Sequence, residues 1–471
     1  MKMLINGMWI SKDNTTDITN PYTGELIDTV PYASTKDALK AVSSAWTNKH
    51  ILACLTAQER ADILDKAALL IIKRLEDFAQ RIVAETGKTI EEGRKETSRC
   101  INTLQLSASQ ARSFNGESIP FDSMSSGKNK IGFYKREPLG VILAITPFND
   151  PLNLVAHKLG PAIASGNSVI LKPSGMAPLS ALRLCEVLIE AGLPIKSLNV
   201  ITGSGRELNK ALINNDIIRM ISFTGGTATG KKIAATAGIV RLSFELGGCG
   251  SCIIMPDANI NQAVKKCVKG AFSAAGENCI SVQKILVHRS IFNEFADKFV
   301  ASTKLITYGD PRCEKTMMGT MISEKAAKQV QRHVDNAINK GAKVLIGNTV
   351  NKALYSPTVL TGVSEDDWLS KHEIFGPVVI LYPFDDIKNA IDFSNAPGGA
   401  IHMAIFTSDI NQAFSAFNKL EASMVLINES TDFRIDAMPF GGAGTAGLGR
   451  EGVKFSMEEM TEPKAVCISL I

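Results

Sequence analysis

The segment Gly276-Glu277-Asn278-Cys279-Ile280 sets a thiol among small and polar residues, just ahead of an apolar run. Such a thiol is a candidate exposed nucleophile. A nucleophile also needs a base and a site for the oxyanion it creates. Phe244-Glu245-Leu246-Gly247-Gly248 puts one carboxylate in an apolar, glycine-flanked place, where ionisation is harder and the pKa should rise. Thr146-Pro147-Phe148-Asn149 puts an amide at the end of an apolar run, and an amide that donates to a developing alkoxide is an oxyanion-hole component. A lone cysteine is more often a packing residue. The weight therefore falls on Cys279, Glu245 and Asn149 together.

Three other segments imitate known chemistry. Gly225-Gly226-Thr227-Ala228-Thr229-Gly230-Lys231-Lys232 nearly matches a nucleotide triphosphatase phosphate loop, but Lys232 stands where a Ser or Thr would bind magnesium. It still lies between a strand and a helix, so it can bring a helix N-terminus to a pyrophosphate, or form a plain turn. Gly442-Ala443-Gly444-Thr445-Ala446-Gly447 matches the dinucleotide fingerprint in letters, yet follows Met438-Pro439-Phe440 rather than a clear strand. It reads as a loop. Cys249-Gly250-Ser251-Cys252 has redox-motif spacing but directly precedes a strand, and reads as buried packing.

The elements that must position these residues follow from the apolar spacing. Residues 1–33 alternate apolar runs with Asn-Pro and Thr-Gly turns, which predicts short strands and hairpins. Residues 34–114 carry helical spacing. The polar stretch 115–130 is a linker or a loop reaching another subunit. Then Val141–Ile145, Ser168–Leu171, Leu198–Ile201 and Met220–Phe223 are each followed by a helix-like stretch. That alternation predicts a parallel sheet covered by helices on both faces. A second series starts near Gly250 and includes Ser251–Met255, Ile285–Val287 and Val378–Leu381. Two α/β domains with a cleft between them are expected.

Bulk properties exclude several classes. The 471 residues carry a net charge of only +4, which gives no reason to expect a nucleic-acid or membrane-surface partner. There is no signal-peptide pattern and no run of 18 or more apolar residues that would cross a membrane. The nine cysteines are scattered rather than arranged as a disulfide framework, which predicts a reducing cytoplasm.

Seven motifs occur in one order: Thr146 to Asn149, Leu171 to Ser174, Phe223 to Gly230, Glu245 to Gly248, Gly276 to Cys279, Glu373 to Pro377, and Pro439 to Gly442. Together they resemble the aldehyde dehydrogenase superfamily over nearly the whole chain. The resemblance implies two Rossmann-type α/β domains with a small β oligomerisation extension. Residues 1–112 and 137–246 would form the cofactor domain and 247–442 the catalytic domain. Residues 113–136 and 455–471 would supply strands that join subunits into a homodimer or homotetramer.

The resemblance also implies roles. Cys279 attacks an aldehyde, Asn149 and the Cys279 N–H hold the oxyanion, and Glu245 activates water against the thioester. NAD or NADP would lie against Thr146, Pro147 and Phe148. Lys172 and Glu373 would hold its riboses, with Ser174 and Gly175 nearby. Gly225, Gly226, Leu246 and Phe375 would complete that cleft. No metal is implied. Two departures stand out. Gly444 and Ala446 replace the Lys and Ser usual after Pro-Phe-Gly-Gly. Gly175 replaces a Glu that NAD-preferring members often carry, which opens the way to NADP.

For the substrate, Asn149, Asn153 and His157 are spaced i, i+4, i+8 and would share one face if a helix starts at Asn149. The resemblance places that face, with Asn278, along the substrate tunnel, and brings Arg99 and Arg434 to its walls. Two arginines and a histidine would clamp an anion. The stretch 149–161 is similar to the branch of lactaldehyde, non-phosphorylating glyceraldehyde-3-phosphate, phosphonoacetaldehyde and sulfolactaldehyde dehydrogenases. The expected substrate is a short 2-hydroxy or anionic aldehyde, with phosphonoacetaldehyde or succinate semialdehyde as the alternative. A CoA-acylating enzyme is disfavoured by Glu245. A non-catalytic member of the fold is disfavoured by the intact Cys279, Glu245 and Asn149.

Overall fold

Val141–Ile145 and Ser168–Lys172 are buried at every position, so each needs cover on both faces. In the computed structural model, which describes residues 1–470, they are neighbouring parallel strands. Five parallel strands form the centre of an eight-stranded sheet, in the order Leu198–Val200, Ser168–Lys172, Val141–Ile145, Met220–Thr224 and Arg241–Glu245. The N-terminal strands Met3–Ile5 and Met8–Ile10 close one edge antiparallel. Gly447–Leu448 closes the other against Phe244 and Glu245, so the chain returns to the first sheet after building the second.

The strand order reverses beside Val141–Ile145. The chain moves one way to Ser168–Lys172 and Leu198–Val200, then the other way to Met220–Thr224. Open α/β sheets bind ligands outside the carboxyl ends of the strands at such a reversal. Thr146 to Asn149 follow one of the two strands at that point, and Gly225-Gly226 follow the other.

The second sheet has seven strands, in the order Lys343–Ile346, Thr358–Thr361, Val378–Phe384, Lys284–His288, Ser251–Ile254, Ala400–Phe406 and Ala422–Ile427. Only Lys343–Ile346 runs antiparallel to its neighbour. Its core is separate from those on the two faces of the first sheet.

The N-terminal helices Thr35–Thr47, Ala57–Lys73 and Ile90–Ser113 begin with reciprocal capping boxes, Ser34 with Asp37, Thr56 with Glu59, and Thr89 with Glu92. The last of these carries Arg99 on a 24-residue helix packed against Asn153–Ala164.

The two segments expected to supply strands, 113–136 and 455–471, are strand over only part of their length. Residues 453–459 form a helix, because Val453, Met457 and Met460 repeat at helical spacing and enter the core beside Asn153–Ala164. The strand begins at Thr461 and pairs antiparallel with Lys130–Pro138 over nine residues. Residues 113–129 contribute only a bridge from Ser118 to Phe133 and two short turns of helix. Among the described residues no helix is long and apolar enough to cross a membrane.

Candidate active site

A cavity of about 470 Å³ lies between the carboxyl ends of the first sheet's strands and loops of the second unit. Cys279, Glu245, Asn149 and Asn278 line it, with Pro147, Phe148, Gly225, Gly226, Leu246, Glu373 and Phe375. Arg99 and Arg434 line it too. Phe148 and Phe375 meet edge to face, centroids 5.8 Å apart, so the two halves of the wall touch directly.

The Cys279 loop is held in an unusual backbone. Ala274, Ala275 and Gly276 follow the helix Ile260–Phe272 with φ of 50°, 51° and 70°. Left-handed alanine is strained by order 1 kcal/mol or more and persists only where surroundings enforce it. They do here: the Glu92 carboxylate accepts from the Ala274 N–H at 2.6 Å, and a Cβ on Gly276 would lie 2.1 Å from the Gly376 carbonyl.

Cys279 keeps part of its surface open to the cavity, and its sulfur lies 3.8 Å from Asn278 Oδ1. Burial, then the Glu373 carboxylate, push the thiol well above its usual range, while Arg434 works the other way. A raised thiol pKa keeps the sulfur protonated at neutral pH, and its reactivity grows as pH rises. Iodoacetamide labelling of Cys279 in the free enzyme should therefore increase about tenfold per pH unit from 6 to 9. A plateau below pH 8 would contradict this.

Glu245 is buried and neither carboxylate oxygen has a hydrogen-bond partner. Burial, then the neighbouring Glu451 carboxylate, hold it far above the ordinary carboxylate range. Both effects favour the neutral acid over the carboxylate. Burial also pushes Glu373 up to about 8. Gly247 makes room for Glu373, since a Cβ there would stand 1.9 Å from Glu373 Oε2.

The cofactor side shows polar atoms without partners. Thr146 Oγ1 and Thr224 Oγ1 are buried and unpartnered at the ends of the two strands that flank the reversal, and Glu373 Oε1 is unpartnered as well. Gly226 caps the ten-residue helix Thr227–Thr236 without any side-chain bond, and a Cβ on it would meet nothing within 4 Å. A free helix N-terminus beside open space suits a pyrophosphate. Lys172 is buried, reaches only the Pro173 carbonyl at 3.2 Å, and is pushed down by burial to about 8. Thr146, Lys172, Ser174 and Gly175 do not line the cavity itself. Ser174 and the exposed Gly175 follow the strand Ser168–Lys172 at the sheet's carboxyl edge. These residues fit a dinucleotide.

The decoy segments are structural. Gly442 packs against the Ala446 backbone, where a Cβ would approach to 2.0 Å, and Gly444–Ala446 is a single tight turn. Cys249 and Cys252 are both buried.

The substrate end differs from the sequence expectation. Asn149 lies ahead of the helix, which starts at Asn153, so the three-residue face does not begin at Asn149. Asn153 and His157 do not line the cavity. Both are fully buried behind Asp436: Asn153 Nδ2 donates to its Oδ1 at 3.2 Å, and His157 Nε2 lies 3.0 Å from the same oxygen. Burial, then Arg434, lower the His157 pKa, so the ring is not a ready cation.

Arg99 reaches the wall but both its arms are taken, by Asp150 at 3.0 Å and Asp436 at 2.9 Å. Arg434 is the freer cation. It lies over the Phe440 ring at 3.5 Å and 3.4 Å from His157 Nε2, comes only to 4.0 Å from a carboxylate, that of Glu451, and its buried Nε has no partner.

Sequence reasoning missed the ionic framework behind this wall. Lys88 pairs with Glu96 at 2.8 Å and with Asp150, and Lys158 pairs with Glu451 at 2.7 Å. Asp150 and Asp436 stood beside residues already singled out. For Lys88, Glu96, Lys158 and Glu451 the sequence carries no signal, because their partners are distant in the chain.

The family model described as the aldehyde dehydrogenase family matches residues 9–466. The chain belongs to that family. Among aldehyde dehydrogenases it is similar to aspartate-semialdehyde dehydrogenase 1 of Pseudomonas canavaninivorans, 46% identical over 97% of each chain. It is also similar to the 3-sulfolactaldehyde dehydrogenase of Priestia aryabhattai, 38% identical over 99% of this chain and 98% of that one. Among solved structures, the NADP complex of glyceraldehyde-3-phosphate dehydrogenase GapN from Methanocaldococcus jannaschii superposes with a TM-score of 0.94, at 39% identity, over 97% of this chain and 100% of that one.

Proposed function

We propose that this aldehyde dehydrogenase oxidises a short aldehyde bearing an anionic or 2-hydroxy group to the carboxylate, with NAD or NADP as acceptor. The observation that carries it is one cavity holding a nucleophile, an amide and a raised-pKa carboxylate, with an incompletely paired arginine on the same wall. The aldehydes named for the similar proteins are short and carry an anion or, for the lactaldehyde dehydrogenase of Methanocaldococcus jannaschii, a 2-hydroxyl.

Cys279, once its thiol has lost its proton to water, adds through its sulfur to the carbonyl carbon. The Asn149 amide and the Cys279 N–H donate to the oxygen that becomes negative. The bound nicotinamide supplies an acceptor for the aldehyde hydrogen and its electron pair. Cys279 is then left as a thioester. Glu245, once deprotonated, draws a proton from water, and the water oxygen displaces the sulfur. Lys172 and Glu373 would hold the ribose hydroxyls, and the amides at Gly225 and Gly226 the pyrophosphate. Arg434, rather than the doubly paired Arg99, supplies the charge that meets the substrate anion. A panel of short aldehydes with each cofactor, followed by reduced nicotinamide, tests this reading. No turnover with any of them rejects it.

Gly175 carries no carboxylate to repel a 2′-phosphate, and a side chain placed there meets nothing within 4 Å. Gly175→Glu should raise the KM for NADP relative to NAD by about tenfold or more through like-charge repulsion. An unchanged KM ratio would place the 2′ end elsewhere.

The ribbon of Lys130–Pro138 and Thr461–Ser469 supports a homodimer or homotetramer. Ile131 pairs with Ile468 and Phe133 with Val466, so all four share one face, and each is about half exposed. An exposed two-stranded ribbon with an apolar face is marginal by itself in water. Phe133→Asp with Ile468→Asp should shift the sedimentation coefficient to that of a smaller species. An unchanged coefficient would exclude this ribbon as the joint.

A further inference from the structure

Most charged groups on the cavity wall are already matched. Lys88 pairs with Glu96 and Asp150, Arg99 with Asp150 and Asp436, and Glu451 with Lys158. Glu92 caps its helix and holds the Ala274 N–H. Glu245 and Glu373 serve chemistry and cofactor in the reading above. Among the described residues, two groups of opposite sign then stand out on one segment. Asp432 lines the cavity and makes no ion pair, its only side-chain bond being from Ser430 Oγ at 2.6 Å. Arg434, two residues on, has a buried Nε without a partner, and its guanidinium touches only the Phe440 ring, His157 Nε2 at 3.4 Å and, at 4.0 Å, its one carboxylate, Glu451. They do not pair with each other. Phe433 between them is exposed, so the chain turns its polar neighbours inward. Lys95, exposed and unpaired, adds a second positive charge at the mouth.

We propose that Asp432 and Arg434 together select an aldehyde whose far end carries both an ammonium and a carboxylate, a four-carbon 2-amino acid semialdehyde. This rests on the function proposed above. A substrate with only an anion would satisfy Arg434 and leave the Asp432 carboxylate facing that anion unmatched, which costs affinity. A zwitterion satisfies both. In the reaction, Cys279 sulfur adds to the aldehyde carbon, and the C–H electron pair passes to the nicotinamide. Water supplies the second oxygen, the sulfur leaves, and two protons are released. The product is a 2-aminodicarboxylate.

The test compares kcat/KM for 2-amino-4-oxobutanoate and 4-oxobutanoate, which differ only by the amine. The native enzyme should favour the amino substrate at least about tenfold, and Asp432→Asn should lower that ratio at least about tenfold. A native preference for 4-oxobutanoate, or a ratio unmoved in Asp432→Asn, overturns the proposal. The native comparison alone decides if the variant does not fold. Turnover of other short aldehydes with neither four-carbon substrate overturns this inference and leaves the proposed function standing. No aldehyde turnover at all overturns both.

Discussion

Glu245→Gln is expected to turn a multiple-turnover enzyme into one that acylates once and stalls. The substitution keeps the shape of a side chain buried among Phe244, Leu246 and the Gly441 loop, where a Cβ on Gly441 would already stand 2.8 Å from Glu245 Oε1. An amide cannot take a proton from water, so the thioester on Cys279 would persist. General-base catalysis contributes typically 10²–10⁴-fold, and kcat should fall by about that much. Rapid mixing should show a burst of about one reduced cofactor per Cys279, because acylation does not need Glu245. Cys279→Ala should show neither burst nor turnover. A Glu245→Gln enzyme with kcat within fivefold of the native value would remove Glu245 from the hydrolytic step. The sign of the pH effect agrees between the two residues. Glu245 and Cys279 both have raised pKa values, both act only when deprotonated, and both steps should quicken with rising pH.

Asp436→Ala is expected to cost the fold about 3–5 kcal/mol, the loss typical of removing one partner from a buried ion pair. One carboxylate there receives Arg99, Asn153 and His157, all from helices that pack against each other. Without it Arg99 keeps only Asp150, and the buried His157 and Asn153 lose their shared acceptor. Thermal unfolding should show a clear drop, and a shift worth less than about 1 kcal/mol would mean that water enters and replaces the carboxylate. Burial works to raise the Asp436 pKa, but the His157 hydrogen bond and the Arg99 charge overcome it and hold the group well below the usual carboxylate range. A depressed folded pKa gives stability that is present above the unfolded value near 4 and is lost as the pH falls below it. The Asp436→Ala deficit should therefore shrink progressively in acid.

The strand runs were legible because they are short, mainly apolar and bounded by turns. Val141–Ile145, Ser168–Lys172 and Met220–Thr224, each followed by a helix-like stretch, read as buried parallel strands. The placement of the candidate residues was legible for the same reason: Asn149, Gly225 and Glu245 stand at or just past strand carboxyl ends, so a correct strand reading carries them to one edge of the sheet. That Gly442 lies in a loop likewise follows from the missing strand before it.

What the sequence alone could not set was which polar groups remain free once the chain folds. Arg99 and Asp436 are 337 positions apart, and His157 and Asp436 are 279 apart. Spacing along a helix shows that Asn153 and His157 share a face, but not whether that face meets a cavity or a buried carboxylate. The tertiary structure places Asp436 there, and the histidine expected in the tunnel becomes a wall behind it. It also closes both arms of Arg99, leaves Arg434 only loosely paired with Glu451, and leaves Asp432 without an ion pair. The amino-acid sequence by itself determined the reaction class. Which polar groups remain free on the cavity wall depends on pairing between distant charges, and only the packed chain decides that.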